Sequence, residues 1–247
     1  MTSIFISDVH LSPKNIETDS AFKQFLEHIH QQTNNLYILG DLFDIWYGQK
    51  SDTYYQEIFE LLHHYSGEMH IYFMPGNRDF LITESLCKTY GMTKLNDPHH
   101  CIIDGQSVLL THGDLLCQHD QSYQRMRSVI QHPLAQQSFL HLPLSWRKKL
   151  ASTIQSSSRK SGQKKEASLM NVSQEAIDHY LGRHPSDYLI HGHVHAETYQ
   201  QHGKSRRIVM GSWQPQPNYL RLDHTHQWEY FHWTDHQSIQ TRLIPST

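Results

Sequence analysis

Five short polar motifs, each directly after an apolar run, constrain this chain of 247 residues more than any other feature of its sequence. Such apolar runs are typical of buried strands, and the side chains that follow the strands of an open α/β sheet collect at one edge. In chain order the motifs begin at Asp8 (Asp-x-His), Gly40 (Gly-Asp-x-x-Asp), Gly76 (Gly-Asn-x-Asp), His112 (His-Gly-Asp) and His191 (His-Gly-His-x-His). The sequence therefore predicts that five distant segments converge on one site.

The residue types in these motifs indicate a catalytic metal site. They offer carboxylate, imidazole and amide oxygen and no thiolate, a set that suits Mn²⁺, Fe²⁺ or Zn²⁺ better than a structural zinc site. Asp8 and His10 are two positions apart, so an extended chain points both side chains to one side. The ligands suffice for two ions, and Asp41 is the candidate bridging carboxylate, because ions about 3.5–4 Å apart clamp a phosphoryl group.

Each motif alone has an ordinary structural explanation. Gly-Asp-x-x-Asp could form a turn with a helix cap, and Gly-Asn-x-Asp is most often a turn. The five motifs together, each after an apolar run, favour the metal site over these explanations. A further His-x-His, at His224 and His226, has no matching acidic motif and is left outside the site.

The apolar runs predict an α/β fold with mixed sheets. Strands are predicted at residues 3–7, 36–39, 70–74, 101–103, 108–110, 188–190 and 208–210, and helices at residues 21–30 and 54–65. Strand and helix alternate early in the chain, whereas the Asp-Gly-Gln between residues 101–103 and 108–110 is typical of a hairpin.

A basic segment interrupts this pattern and predicts a separate cap. Residues 121–165 hold nine of the 21 lysines and arginines and none of the 24 acidic residues. Apolar residues are interspersed without a strand pattern, and helices are expected to break near Pro133 and Pro143. We expect a core at residues 1–120 and 171–247 and a helical cap at residues 121–170. The charge asymmetry indicates an anionic partner, although a solvated basic face over a small helical core is the simpler alternative.

Composition also limits where the chain acts. No run of 18 apolar residues is present, and the first residues lack the basic region and apolar stretch of a signal peptide. The three cysteines are an odd number at no metal-like spacing, which favours a reducing, cytoplasmic compartment. A nucleic-acid partner is not expected, because no binding motif is found and the chain outside the basic segment is acidic.

The order of the motifs resembles the calcineurin-like metallophosphoesterase superfamily, from Asp8 to His195. The resemblance implies a β-sandwich flanked by helices and a centre of two metal ions. By motif position, one ion would take Asp8, His10, Asp41 and His195. The other would take Asp41, Asn77, His112 and His193. Asp44 and Asp79 would orient these ligands.

One position departs from the common superfamily pattern. Most members have histidine after the asparagine of the third motif, whereas this chain has Arg78. A guanidinium binds phosphate bidentately but cannot act as a general acid. The leaving group must then depart with little protonation, as a phosphate monoester released from a pyrophosphate does.

Two stretches closely resemble one family, the UDP-2,3-diacylglucosamine pyrophosphatases of lipid A synthesis. They are residues 37–46 (YILGDLFDIW) and 76–81 (GNRDFL). The family cleaves UDP-2,3-diacylglucosamine to UMP and 2,3-diacylglucosamine 1-phosphate. The resemblance implies that Arg78 stabilises charge on the phosphate and that the substrate is bound by Asn77, Arg78, Asp120, Ser158, Lys165 and His193. Gly162 stands where the family has a polar residue, so the backbone or Lys164 would have to replace that contact.

The resemblance also sets the expected cofactor and partners. We expect two Mn²⁺ ions, while the ligand set alone is compatible with Fe²⁺ or Zn²⁺. A basic cap rich in apolar residues offers charge to phosphate and surface to acyl chains, which predicts peripheral association with the cytoplasmic side of the anionic inner membrane. No obligate protein partner is expected.

Two rival functions stay open at this point. One is another dinuclear metallophosphoesterase, acting on cyclic nucleotides or dinucleotide polyphosphates, although such enzymes usually carry histidine where Arg78 stands. The other is a non-catalytic scaffold of the same fold. Such scaffolds typically lose metal ligands, whereas this chain retains all of those that the resemblance implies.

Overall fold

Two β-sheets lie face to face with helices on both outer surfaces in the computed structural model. The structure describes residues 1–48, 52–118, 121–130, 133–149, 172–234 and 237–244. The strands are β1 (Ser3–Ile6), β2 (Asn35–Leu39), β3 (His70–Met74), β4 (Met92–Lys94), β5 (His99–Ile103), β6 (Gln106–Thr111), β7 (Tyr188–His191), β8 (Thr198–His202), β9 (Ser205–Val209), β10 (Asn218–Leu222), β11 (Trp228–Thr234) and β12 (Gln237–Ile244). The helices are α1 (Ile16–Ile29), α2 (Thr53–Tyr65), α3 (Glu84–Thr89), α4 (Gln121–Ile130), α5 (Pro133–His141) and α6 (Gln174–Arg183). The expected α/β class with mixed sheets is confirmed.

The first sheet has seven strands in the order β12-β11-β10-β1-β2-β3-β4. Strands β1 to β4 are parallel, and β10 to β12 pair antiparallel with their neighbours. The helices α1 and α2 connect the parallel strands, and each begins at a polar residue. The side chain of Asn15 accepts a hydrogen bond from the backbone of Thr18, and Asp52 does the same for Tyr54.

The second sheet has five strands in the order β5-β6-β7-β9-β8. Its central strands β6, β7 and β9 are parallel, and β5 and β8 pair antiparallel at the two edges. Helix α6 covers the outer face, where Ala176 and Ile177 pack against Leu109 and Leu189. Both sheets therefore contain a parallel centre, whose strands all point to the same edge of the molecule.

Three apolar layers hold these elements together. Between the sheets, the ring of Phe5 stacks on Tyr37 with centroids 4.7 Å apart, and Tyr188 contacts Trp228 at 4.9 Å. On the outer face of the first sheet, α1 buries Phe22, Phe25, Leu26 and Ile29. The third layer lies under α6. This arrangement fixes the sheets against each other and leaves the ends of their strands at one rim.

The segments that follow the strands run side by side at this rim. The backbone N–H of Asp8, after β1, donates to the carbonyl of Gly40, after β2, at 3.1 Å. The N–H of Gly192, after β7, donates to the carbonyl of His112, after β6, at 2.9 Å. The motif segments of each sheet are therefore joined by backbone hydrogen bonds before any side chain is considered.

Helices α4 and α5 and a helical segment at residues 144–149 lie in the described part of the predicted cap. Nη1 of Arg147 donates to the carbonyls of Tyr47 and Gly48, both at 2.9 Å, which attaches the cap to the segment after β2. None of the described helices is both long and apolar enough to span a bilayer. The domain boundaries at residues 120 and 171 stay a prediction, because residues 150–171 lie outside the described part.

The sequence analysis does not predict β4, β8 or the antiparallel strands β10 to β12. The reason is clearest in β11, where both faces are buried. Trp228 and Tyr230 face the layer between the sheets, whereas Phe231 and Trp233 belong to the layer under α1. Large side chains on both faces remove the simple apolar–polar alternation that marks a half-buried strand.

Truncating Phe5 to alanine tests the layer between the sheets. The side chain is fully buried, so Phe5→Ala leaves a cavity and lowers the free energy of unfolding by about 3–5 kcal/mol. Ile102 on β5 is 64% exposed, and Ile102→Ala as the control changes the same quantity by less than about 0.5 kcal/mol. Urea unfolding followed by circular dichroism measures both, and equal losses would contradict the packing described.

Candidate metal centre

The backbone takes an uncommon conformation at the predicted metal ligands. Asp8 (φ 54°), His10 (φ 56°), Asp41 (φ 53°), His193 (φ 71°) and His195 (φ 55°) all have positive φ. Among the described residues, they are five of seven non-glycine residues with this conformation. Left-handed backbone at non-glycine residues is costly and concentrates at functional sites. The strand ends are therefore shaped to turn these side chains toward one another.

Two motif glycines allow the segments to approach this closely. A Cβ atom on Gly76 would lie 2.2 Å from Oδ1 of Asp41, and one on Gly192 would lie 1.9 Å from Oγ of Ser7 and 2.2 Å from Oδ2 of Asp8. Any other residue at these two positions would push the carboxylates away. The glycines are thus required by the site, since they admit the side chains that the neighbouring strands supply.

The first group of donor atoms comes from the segments after β1 and β7. Nε2 of His195 lies 3.2 Å from Oδ1 of Asp8 and 3.3 Å from Nε2 of His10. Nε2 of His10 lies 3.9 Å from the same carboxylate oxygen. Ligands about 2.1 Å from one divalent ion lie roughly 3.0–4.2 Å from each other, depending on the angle between them, so this spacing fits a shared ion. The three residues form a candidate cation-binding group.

The second group comes from the segments after β2, β3, β6 and β7. Oδ1 of Asn77 lies 3.0 Å from Nε2 of His112 and 3.0 Å from Nδ1 of His193. Oδ1 of Asp41 lies 3.8 Å from the same His112 nitrogen. Asp8, Asp41 and His112 also form a candidate cation-binding group. The two donor groups are therefore adjacent, and the buried carboxylates lie between them.

Hydrogen bonds to neighbouring backbone and side-chain groups orient the predicted ligands. Nδ1 of His112 donates to the carbonyl of Leu39 at 3.0 Å, which directs the Nε2 lone pair into the site. Oδ2 of Asp8 accepts from Oγ of Ser7 at 2.6 Å and from the backbone N–H of His193 at 2.9 Å. Sequence reasoning missed Ser7, because no motif marks a serine before Asp-x-His.

The electrostatics of the site fit divalent cations. Burial lowers the pKa of His10 to about 3 and the pKa of His193 to about 4, so both imidazoles are neutral and can act as ligands near pH 7. Burial raises the pKa of Asp41 to about 7, and the neighbouring carboxylates of Asp79 and Asp8 add to that rise. Hard oxygen and imidazole donors around buried acidic groups are the environment that a divalent ion neutralises.

His112 responds to the same carboxylates in the opposite direction. Burial alone would lower the pKa of His112, but Asp41 and Asp8 outweigh it and raise the pKa to about 9. Burial opposes ionisation of Asp8 as well, but the hydrogen bond with His195 and the charge of His112 hold its pKa below the usual value. The carboxylates thus favour positive charge in this part of the site, which a divalent ion bound to neutral His112 would supply in place of a proton.

The two further acidic residues of the motifs have separate partners. Asp79 accepts hydrogen bonds from the backbone N–H of Gly76 at 2.7 Å and of Leu42 at 2.8 Å, so it ties the segment after β3 to the segment after β2. Asp44 instead contacts the guanidinium of Arg78. Asp79 therefore fixes the loops that carry Asp41, and Asp44 fixes the arginine.

Arg78 lies at the rim of the site. Its backbone N–H donates to Oδ1 of Asp41 at 2.8 Å, and its Nε lies 3.5 Å from the other oxygen of that carboxylate. The side chain is partly exposed and is held by Asp44. It therefore presents a fixed positive charge beside both donor groups, where an anionic substrate would approach.

The structure brings together all seven predicted ligands and Arg78. The other predicted substrate residues, Asp120, Ser158 and Lys165, lie outside the described residues, as does Gly162. Their roles stay predictions. His226 of the second His-x-His lies far from the rim, where its Nδ1 contacts the carbonyl of Asp104 in the turn between β5 and β6 at 3.0 Å.

Comparison with protein families agrees with this site. The chain matches the family model of the calcineurin-like phosphoesterases over residues 1–197. That span holds all of the motif residues. The chain belongs to the calcineurin-like phosphoesterase family.

Individual relatives show to which enzymes within the calcineurin-like phosphoesterases this chain is similar. The chain is 37% identical over 230 residues to the UDP-2,3-diacylglucosamine hydrolase of Tolumonas auensis, which covers 90% of this chain and 94% of that protein. It is 37% identical over 225 residues to the protein of that name from Shewanella pealeana, with 90% and 94% covered. It is also 37% identical over 231 residues to the protein of that name from Pseudomonas aeruginosa, and the match covers 90% of this chain and 95% of that protein. The resemblance found in the sequence is thus confirmed, and the chain groups with the UDP-2,3-diacylglucosamine hydrolases.

Solved structures share the fold. An archaeal phosphodiesterase is similar with a TM-score of 0.52 at 13% identity, covering 94% of this chain and 99% of that one. Vacuolar Protein Sorting 29 from Cryptosporidium parvum is similar with a TM-score of 0.54 at 12% identity, covering 99% and 98%. At such low identity the likeness concerns the arrangement of sheets and helices alone.

Adding one methyl group at Gly76 tests the geometry of the centre. Gly76→Ala places a Cβ against Asp41, so we expect Mn²⁺ affinity to fall by at least about 10-fold while the fold is retained. Gly182→Ala on α6 is the matched control, since no atom lies within 4 Å of its Cβ. Isothermal titration calorimetry measures both, and unchanged affinity in Gly76→Ala would contradict the proposed ligand set.

Proposed function

We propose that this chain hydrolyses the pyrophosphate of UDP-2,3-diacylglucosamine to UMP and 2,3-diacylglucosamine 1-phosphate, a step of lipid A biosynthesis. The observation that carries the proposal is the placement of Arg78 beside two adjacent donor groups for divalent ions. Relatives named UDP-2,3-diacylglucosamine hydrolase match 90% of this chain, which supports UDP-2,3-diacylglucosamine as the substrate. The rival scaffold function is not favoured, because all seven ligand residues are present and converge.

The residues assigned to the first ion are Asp8, His10, Asp41 and His195, and those assigned to the second are Asp41, Asn77, His112 and His193. Divalent ions bound there supply Lewis-acid stabilisation of the phosphoryl oxygens and activation of water near neutral pH. The neutral imidazoles of His10 and His193 keep their lone pairs available for this binding. We propose Mn²⁺ as the ion, on the family resemblance, because the ligand set is also compatible with Fe²⁺ and Zn²⁺.

Arg78 has a separate part in the reaction. Asp44 holds its guanidinium at the rim, so its remaining N–H groups can bind the phosphoryl oxygens as negative charge develops on them. Water attacks the α-phosphorus of the UDP group, and the sugar-lipid phosphate leaves on the opposite side. A phosphate monoester leaves without prior protonation, which suits a site with arginine at the position of a general acid.

The cap supplies the surface for the lipid part of the substrate. Trp146 is 64% exposed, and Val129, Leu134 and Leu144 are also exposed on the described cap helices. Lys148 and Lys149 are exposed beside Trp146. Apolar side chains with adjacent lysines are the composition that binds acyl chains and anionic headgroups. We therefore propose that the protein acts at the cytoplasmic side of the inner membrane as a peripheral protein.

Substrate turnover with and without Arg78 tests the chemistry. Wild-type protein should release UMP from UDP-2,3-diacylglucosamine only with added Mn²⁺, and Arg78→Ala should lower kcat by about 100–1000-fold. Arg183→Ala, an exposed arginine at the end of α6, is the control and should turn over like the wild type. Chromatographic detection of UMP measures each rate.

A generic phosphodiester in the same assay separates the rival enzymes. Turnover of the generic ester without release of UMP from the lipid substrate would retain the two-ion centre and overturn the proposed substrate. Equal rates for wild type and Arg78→Ala on the lipid substrate would overturn the role of the arginine.

Vesicle binding tests the membrane proposal. At low ionic strength the protein should bind vesicles that contain phosphatidylglycerol, and the binding should weaken as salt shortens the Debye length from about 30 Å at 0.01 M to about 10 Å at 0.1 M. Trp146→Ala should reduce binding, and Ile102→Ala, on the exposed face of β5, should not. Sedimentation with vesicles measures the bound fraction. An unbound protein at low salt would refute the association.

A further inference from the structure

A buried arginine of the cap lies between two buried carboxylates of the core. Arg127 belongs to α4, and its side chain is only 10% exposed. Its Nε donates to Oδ2 of Asp114 at 2.6 Å, and its Nη2 donates to Oδ2 of Asp97 at 3.0 Å. The side chains of Asp97 and Asp114 are 8% and 1% exposed. One guanidinium therefore forms ion pairs with two carboxylates that are almost fully buried.

Both carboxylates are attached to the segment that carries His112. The other oxygen of Asp97, Oδ1, accepts the backbone N–H of His112 at 3.3 Å. Asp114 follows His112 by two positions and begins the single helical turn Asp114–Leu116. A second side chain of α4 reaches the same segment, since Nε2 of Gln124 donates to the carbonyl of Asp114 at 2.7 Å. Helix α4 thus holds the backbone on which this metal ligand is mounted.

The charges of Arg127 and the two carboxylates make this contact important for the position of His112. Two buried carboxylates facing one another repel, and each buried ionised group needs a partner. The fork of an arginine can bind both acids at once, whereas a lysine offers one point charge. Removing Arg127 would leave the acids uncompensated directly behind His112, so the segment would shift or admit water. Either change moves the imidazole.

The effect should be confined to one of the two donor groups. Asp8, which anchors the first group, accepts a hydrogen bond from Oγ of Ser7 at 2.6 Å, a contact that involves none of Arg127, Asp97 and Asp114. His112 belongs to the second group, with Asn77 and His193. Outer partners of metal ligands typically change affinity by about 10–100-fold when they are removed. A selective loss of one ion is therefore a signature that general destabilisation would not produce.

We infer that Arg127 is a positioning residue of the metal centre, which connects cap helix α4 to His112 and sets how firmly the second donor group holds its ion. The inference rests on the proposed two-ion function. It also means that helix α4 of the cap is joined through Arg127, Asp97 and Asp114 to the segment that carries one of the proposed metal ligands.

The experiment counts bound ions in metal-stripped full-length protein. Mn²⁺ is titrated and followed by electron paramagnetic resonance, which reads free and bound ion directly and needs no substrate. Wild type should bind two ions. Arg127→Met should retain one at wild-type affinity and bind the second at least about 10-fold more weakly. Arg127→Lys should fall between these, and the exposed Arg125→Met on the same helix should match the wild type.

Each other outcome overturns a stated part of the account. Two ions bound with wild-type affinity in Arg127→Met would overturn the inference, and so would an equal loss of both ions, which indicates a structural role only. If Arg127→Met does not fold, Asp97→Asn carries the test, because Asp114 still pairs with the arginine; it should show the same selective weakening. Fewer than two ions in the wild type would instead overturn the proposed function, and the inference with it.

Discussion

The structure depends on one buried carboxylate that joins two sheets. Asp8 follows a strand of the first sheet, and its Oδ2 accepts the backbone N–H of His193 from the second sheet at 2.9 Å. Its Oδ1 lies 3.2 Å from Nε2 of His195. Gly192 must lack a side chain for this approach to occur. The geometry of the donor atoms is therefore set by how the sheets pack, and the apolar layer between them serves the site directly.

The basic residues of the described cap helices differ in what they contact. Arg147 is bound to the backbone of the segment after β2, and Arg127 is buried against Asp97 and Asp114. Lys148 and Lys149, in the same helical segment as Trp146, are exposed. Net charge alone therefore overstates how many cations can meet an anionic partner. It also hides the attachment of the cap to two of the segments that build the metal centre.

The sequence was sufficient to predict the parts of the fold that motifs mark. Apolar runs located β1, β2, β3, β6 and β7, and the polar residues after them do converge. The strands β10 and β11 were not found, because both of their faces are buried and the alternation is lost, and β12 was not found, because its mostly exposed polar residues form no apolar run. Ser7, Asp97 and Arg127 could not be found either. Asp97 and Arg127 contact residues that are distant in sequence, and Ser7 contacts one carboxylate oxygen of Asp8. Neither kind of contact leaves a local sequence pattern. Asp44 carried a motif, but only the structure places it on Arg78.

The most direct test of the account is anomalous X-ray diffraction from crystals soaked in Mn²⁺, with data collected at the manganese absorption edge. The account predicts two anomalous peaks about 3.5–4 Å apart, with Asp41 between them. One peak should lie among Asp8, His10 and His195, and the other among Asn77, His112 and His193. A single peak, or peaks away from these side chains, would contradict the claim that five strand-end segments build one two-ion centre.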